Sequence, residues 1–265
     1  MSVAHVHGVG LFTAGRPGVG AFFSGSDFDP DVERPVARWL EGPLGRRASA
    51  LTRIGVEALE QAVGAARFDA KTIATIWATA HGEHETAVSI LSDLFAGEGR
   101  ISPTRFHNSV YNTASGYASI ATGNRAPSTT LSGGPDLFAM ALLEALCTLR
   151  GGTREVAIVM ADEPMLAPFD SRAARAPLAI ALCLSERSIG SLAELRSLER
   201  RRIAPAPRHP DFGGLYVSGA LPLLEAIWRR RAVRVPLEID GGRPGGVWSI
   251  EVAPAGERSS GDERC

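Results

Sequence analysis

The chain is poor in cysteine, in lysine and in long apolar runs. Its 265 residues hold three cysteines, Cys147, Cys183 and Cys265. Their wide spacing excludes a disulfide framework and the paired thiolates of a zinc module, and it suits a reducing compartment. Lys71 is the sole lysine, so almost all positive charge is arginine, which a GC-rich coding sequence explains as well as any function does. The formal net charge of −1 predicts no electrostatic pull toward nucleic acid or anionic lipid. No window approaches the roughly 18 apolar residues of a membrane span. The N-terminus, MSVAHVHGVGLF, lacks the basic region and continuous apolar stretch of a signal peptide. A cytoplasmic protein is the expectation. Two glycine motifs are also absent, G-x-x-x-x-G-K and G-x-G-x-x-G, so no nucleotide cofactor is expected.

What the sequence does contain is an alternation of two hydrophobic periods. Residues 5–12 and 72–80 read as strands, while residues 49–67 carry Leu51, Ile54, Ala58, Leu59 and Ala62 at helical spacing behind Ser49 as N-cap. Residues 13–47 read mostly as loop, with a short helix near 32–40. Helical spacing returns at 83–96 and 108–122. A short β run, the Gly133-Gly134 turn and a helix over 135–150 follow. Residues 155–161 and 177–184 are β-branched or apolar strands. After Ser188 the pattern weakens to a strand ending near 198, a basic Pro-rich linker, a helix over 219–230 and strands over 233–239 and 247–252. Strands alternating with helices predict an α/β fold with a buried, largely parallel sheet. One domain over residues 1–253 is expected, with a polar, disordered tail at 254–265.

Four segments could carry chemistry. HGEHE, residues 81–85, is metal-like, but it fits neither H-E-x-x-H nor H-x-x-E-H, and Gly82 favours a strand-to-helix turn. Ser132 lacks the G-x-S-x-G elbow, and only His209 lies downstream as a triad histidine. The turn Ser132, Gly133, Gly134, Pro135 places Asp136 at the positive end of the following helix, where it would oppose an anionic intermediate. The segment RFHNSVYNTASGYASIATGNRAPSTT, residues 105–130, is crowded with small residues that permit close helix approach. Its His107, Asn108, Tyr111 and Asn112 need partners wherever they are buried. A core or subunit-interface helix is favoured there over direct substrate contact.

NTASGYASIATGNRAPSTTLSGGPDLFAMALLEAL resembles the N-terminal half of the β-ketoacyl synthases of the thiolase superfamily. In those enzymes an N-x-x-x-G helix and a G-x-x-x-P element lead to the catalytic cysteine and a long buried helix. RRASALTRIGVEALEQA and FDSRAARAPLAIALCLSE extend the resemblance over residues 5–185. Within that superfamily the chain is similar to truncated, synthase-like chain-length factors of aryl polyene and related pathways, through residues 107–123 and 126–134. The resemblance implies a thiolase-like fold comprising a single, N-terminal-type half, with divergent residues 185–253 replacing the second. It implies that the cysteine position falls at Pro135, or at Gly134 if the turn is one residue shorter, and neither can attack a thioester. The H-G-T-G-T loop and second catalytic histidine have no counterpart. No cofactor or metal is implied. The partner would be a full-length β-ketoacyl-ACP synthase, which supplies the nucleophile and meets the acyl carrier protein. His107, Asn108, Tyr111, Asn112, Thr113 and Tyr117 would then lie at the interface and acyl tunnel. The competing reading is an independent acyl-thioester hydrolase or acyltransferase using Ser132 or His107.

Overall fold

The computed structural model describes residues 4–25, 28–97, 101–166, 174–240 and 245–256. Most of the tail, residues 257–265, lies outside them, as does part of the segment at 169–186 that resembles the synthases. Nine strands form one sheet: β1 (Ala4–Thr13), β2 (Arg16–Pro17), β3 (Ala74–Ala78), β4 (Ser128–Leu131), β5 (Glu155–Asp162), β6 (Leu178–Ser185), β7 (Ala193–Arg201), β8 (Val233–Pro236) and β9 (Val247–Pro254). The order is β4-β3-β5-β6-β1-β7-β9-β8, with β2 paired to β1. The helices are α1 (Val19–Phe23), α2 (Gly42–Arg47), α3 (Ala50–Ala66), α4 (His84–Phe95), α5 (Pro103–Asn108), α6 (Thr113–Thr122), α7 (Leu137–Arg150) and α8 (Leu221–Trp228).

The expectation of a largely parallel sheet needs correcting. Only β3 with β4 and β3 with β5 pair in parallel; every other pair is antiparallel. Helical crossovers do give β1, β3, β4 and β5 one direction, as alternation predicts. The chain then returns from β5 without a described helix, and β6 runs back between β5 and β1. A meander of β7, β9 and β8 completes the sheet.

The sheet's two faces differ in side-chain size, and this decides how the helices sit. Along β5 and β6, Val156, Ile158, Met160, Leu178, Ile180, Leu182 and Leu184 join the core with α7 and α8. The alternating residues Ala157, Val159, Ala161, Ala179, Ala181 and Cys183 face the cluster of α3 and α6. Small residues on that face let α3 approach with its backbone. A methyl group at Gly8 would overlap the Ala62 carbonyl, and one at Gly10 the Ala58 carbonyl. The Leu11 N–H also donates to Gln61 Oε1 at 3.1 Å, fixing the helix along β1. α3 keeps its expected N-cap, as Ser49 Oγ accepts from the Thr52 N–H at 3.0 Å.

Other boundaries shift. The helix read near 32–40 is a single 3-10 turn at Arg38–Leu40, and α2 was not foreseen. Of the helix read at 108–122, Thr113–Thr122 forms α6, and the unforeseen α5 ends at Asn108, where that helix was expected to begin. Gly10→Ala should cost about 1–3 kcal/mol through forced displacement of α3, measured by urea unfolding. Gly64→Ala, where an added Cβ meets nothing within 4 Å, should not destabilise.

Candidate functional site

The C-terminal ends of the parallel strands β3, β4 and β5 meet at one end of the sheet, the position where open α/β sheets form crevices. The turn after β4 is the one that lacks a cysteine. Cys147 lies within α7 and Cys183 is buried in β6, where desolvation pushes its thiol up. Ser132 is exposed, and its hydroxyl donates to the Ala80 carbonyl at 3.1 Å. That bond commits the proton a general base would have to remove. The downstream His209 is stacked on Phe212 at 4.5 Å, and its Nδ1 accepts from the Asp211 N–H at 3.2 Å. His107 is exposed beside Tyr117, with ring centroids 6.2 Å apart. The structure joins neither histidine to Ser132.

The turn's geometry also differs from its sequence reading. The Leu137 N–H donates to the Gly134 carbonyl at 3.0 Å, so Pro135 and Asp136 occupy a turn and α7 begins at Leu137 rather than at Pro135. Asp136 holds the N-cap position without a side-chain capping bond. A Cβ at Gly133 would meet only Leu137, at an ordinary 3.5 Å. The turn therefore does not require a glycine at 133.

Buried carboxyl groups line this end of the sheet instead. Asp162 closes β5 and accepts at Oδ1 from Thr79 Oγ1 at 2.9 Å and the Ala80 N–H at 2.7 Å. Burial raises its pKa to about 6. Glu83 receives the hydroxyls of Ser49 at 2.6 Å and Thr52 at 3.1 Å, tying the β3–α4 turn to the start of α3; burial again raises its pKa. Glu163 is raised to about 8, first by burial and then by Glu85, Glu83 and Asp162. His84 Nε2 lies 3.0 Å from the Pro164 carbonyl, and Nδ1 lies 3.6 Å from Glu163 Oε1. His81 and His84 have ring centroids 6.4 Å apart, and among the described residues no group of three or more His, Cys, Asp or Glu side chains is placed to hold a metal. Asp162 and Glu163 escaped the sequence reading, although an apolar strand ending in two acids before Pro164 was the available signal.

The small-residue segment divides into an inner and an outer set. Asn108 Nδ2 donates to the Arg47 carbonyl at 2.6 Å, and the Tyr117 hydroxyl lies 3.1 Å from both that carbonyl and Asn108 Oδ1. Buried Thr113 donates to the His107 carbonyl at 3.3 Å. Asn108, Thr113 and Tyr117 are thus internal struts. His107, Tyr111 and Asn112 are exposed. The Tyr111 ring lies over Gly82, where an added Cβ would come within 2.9 Å of it, so this segment and the HGEHE turn meet.

The family described as beta-ketoacyl synthase, N-terminal domain, matches residues 25–209. The chain belongs to the β-ketoacyl synthase family. No curated protein sequence matches it. Solved structures share the fold of this synthase-family chain at low identity. One is a ketosynthase (ApeO) in complex with its chain length factor (ApeC) from Xenorhabdus doucetiae, at 20% identity and TM-score 0.68, covering 96% of this chain and 100% of that one. The ishigamide ketosynthase/chain length factor matches at 14% identity and TM-score 0.71 with the same coverage. A ketosynthase from module 1 of the bacillaene synthase of Bacillus amyloliquefaciens FZB42 matches at 11% and 0.64, covering 96% of this chain and 76% of that one. None of the described helices is long and apolar enough to cross a membrane.

The inner and outer sets predict different mutational costs. Asn108→Ala removes a buried side chain that donates to the Arg47 carbonyl and accepts from the Tyr117 hydroxyl, and it should lower unfolding free energy by about 1–3 kcal/mol. Tyr111→Ala, at a half-exposed side chain, should cost well under that, and a pair of urea titrations compares them.

Proposed function

We propose that the chain is a chain-length-factor-like subunit that performs no condensation itself and pairs with a full-length β-ketoacyl-ACP synthase. The observation that carries this reading is the face beside β4. β4 is an edge strand without charge, proline or bulge, so it lacks the usual protection against pairing with another chain. Thr75 N–H and Thr79 N–H donate to the Pro127 and Leu131 carbonyls. Backbone alternation then turns the groups of Ser128 and Thr130 outward. Leu94, Phe95, Phe106, Val110, Tyr111 and Ile120 expose large apolar side chains on α4 to α6.

Gly116 adds a separate argument. It is exposed inside α6, and a Cβ there would meet nothing within 4 Å. A helical glycine costs about 1 kcal/mol relative to alanine, and no contact among the described residues explains it. Close approach of a second backbone does. In this assignment His107, Tyr111 and Asn112 face the partner and its acyl tunnel, while Asn108, Thr113 and Tyr117 hold them in place. Strands β7, β9 and β8 extend the same sheet beyond β1.

Absence of chemistry follows from the turn and its surroundings. Decarboxylative Claisen condensation needs a thiolate nucleophile and stabilises an enolate with donors. Ser132, Gly133, Gly134 and Pro135 supply no thiol, and Asp162 and Asp136 would oppose the negative charge. The partner synthase supplies the nucleophile, receives the acyl carrier protein and extends the chain. The pathway is of the aryl polyene type.

Co-expression with a ketosynthase from the same gene neighbourhood, followed by size exclusion, should give one heterodimeric peak. Separate elution, or acyl-thioester turnover by the chain alone that Ser132→Ala abolishes, contradicts the reading. Gly116→Leu should leave the isolated chain folded and weaken the complex at least tenfold, whereas Gly116→Ala should stabilise the isolated chain by about 1 kcal/mol.

A further inference from the structure

We propose that Glu163 and His84 form a proton-bridged latch that fastens the exit of β5 to the first turn of α4, and that loss of this one proton releases the turn. The argument starts from the ring's orientation. His84 Nε2 lies 3.0 Å from the Pro164 carbonyl, an acceptor only, so Nε2 carries the hydrogen. In the neutral ring Nδ1 is then a lone pair. It is buried, has no hydrogen-bond partner among the described residues, and faces Glu163 Oε1 at 3.6 Å. Two acceptors that face each other in a buried site need a proton between them. Carried by either atom, that proton turns a repulsive pair into a hydrogen bond or an ion pair.

The same carboxyl oxygen receives the Glu85 N–H at 3.4 Å, so Glu163 also holds one of the free amides at the start of α4. Both side chains are nearly inaccessible, Glu163 at 6% and His84 at 9% exposure. The charged groups acting on Glu163 come from three directions: Glu85 on α4, Glu83 in the turn before it and Asp162 beside it on β5. All three are acids. The His81 ring lies 6.4 Å from that of His84, with the Tyr216 ring beyond it. An unbridged Glu163 anion would therefore face a lone pair and three carboxyls. Release would be felt through α4, which carries the exposed Leu91, Leu94 and Phe95.

The sign of the pH dependence follows. The folded chain holds the Glu163 proton up to about pH 8, well above an ordinary glutamic acid. Its contribution to stability is complete below the unfolded value, about 4.3, and is lost as pH rises through 8.

The test compares the full chain with Glu163→Gln in urea titrations from pH 5.5 to 9. The glutamine amide can donate to Nδ1 at every pH. Wild type should lose stability with a slope approaching tenfold in the unfolding constant per pH unit beyond that of the variant, and amides 85–88 should exchange faster above pH 8 only in wild type, after correction for intrinsic rates. Equal slopes overturn the latch. Should Glu163→Gln fail to fold, the ¹⁵N shifts of the His84 ring in wild type decide. A hydrogen-bonded or protonated Nδ1 at about pH 7.5, where an ordinary imidazole is neutral, that becomes a free lone pair at about pH 9 supports the latch, and a free Nδ1 throughout overturns it.

Discussion

The seating of α3 against a face of glycine and alanine is the constraint on which the rest of the structure depends. Gly8 and Gly10 leave room for the carbonyls of Ala62 and Ala58, so the helix lies against β1 by its backbone. That close approach fixes where the helix begins. Ser49 and Thr52 at its start donate their hydroxyls to Glu83, which positions the turn between β3 and α4. The Arg47 carbonyl, two residues before Ser49, receives Asn108 and Tyr117, which positions α5 and α6. A displacement of α3 would thus reach the crevice and the outer face together, although neither touches β1.

Much of this was legible in the sequence because the signals were local. The stripe Leu51, Ile54, Ala58, Leu59 and Ala62 behind Ser49 located α3 to within a residue. The apolar runs located β5 and β6. Strand direction was less legible, since β6 inserts between two parallel strands and a buried strand's composition does not reveal its neighbours' orientation. Segment 105–130 was identified as unusual by composition, but the break between α5 and α6 and the division into struts and exposed groups depend on Arg47, about 60 residues away. The acids were the hardest to foresee. Glu83 was visible within HGEHE, yet its burial comes from the α3 hydroxyls, and Asp162 and Glu163 meet that turn only because β5 lies beside β3.

The site combines a turn that carries a serine and no thiol with a set of buried carboxyl groups. The serine hydroxyl of the turn after β4 is bonded to the Ala80 carbonyl. Around it stand carboxyl groups whose pKa values burial raises. Outside it lies an unguarded edge strand, an exposed helical glycine and a set of large apolar side chains. Each costs an isolated chain stability or solubility, and a bound partner accounts for all three.

The most direct test of this account is amide hydrogen exchange on the chain with and without a full-length ketosynthase from its gene neighbourhood. The account predicts strong new protection at Ser128 and Thr130, whose backbone groups point away from β3, and at residues 106–120. A complex that forms while those amides exchange as they do in the free chain would contradict it.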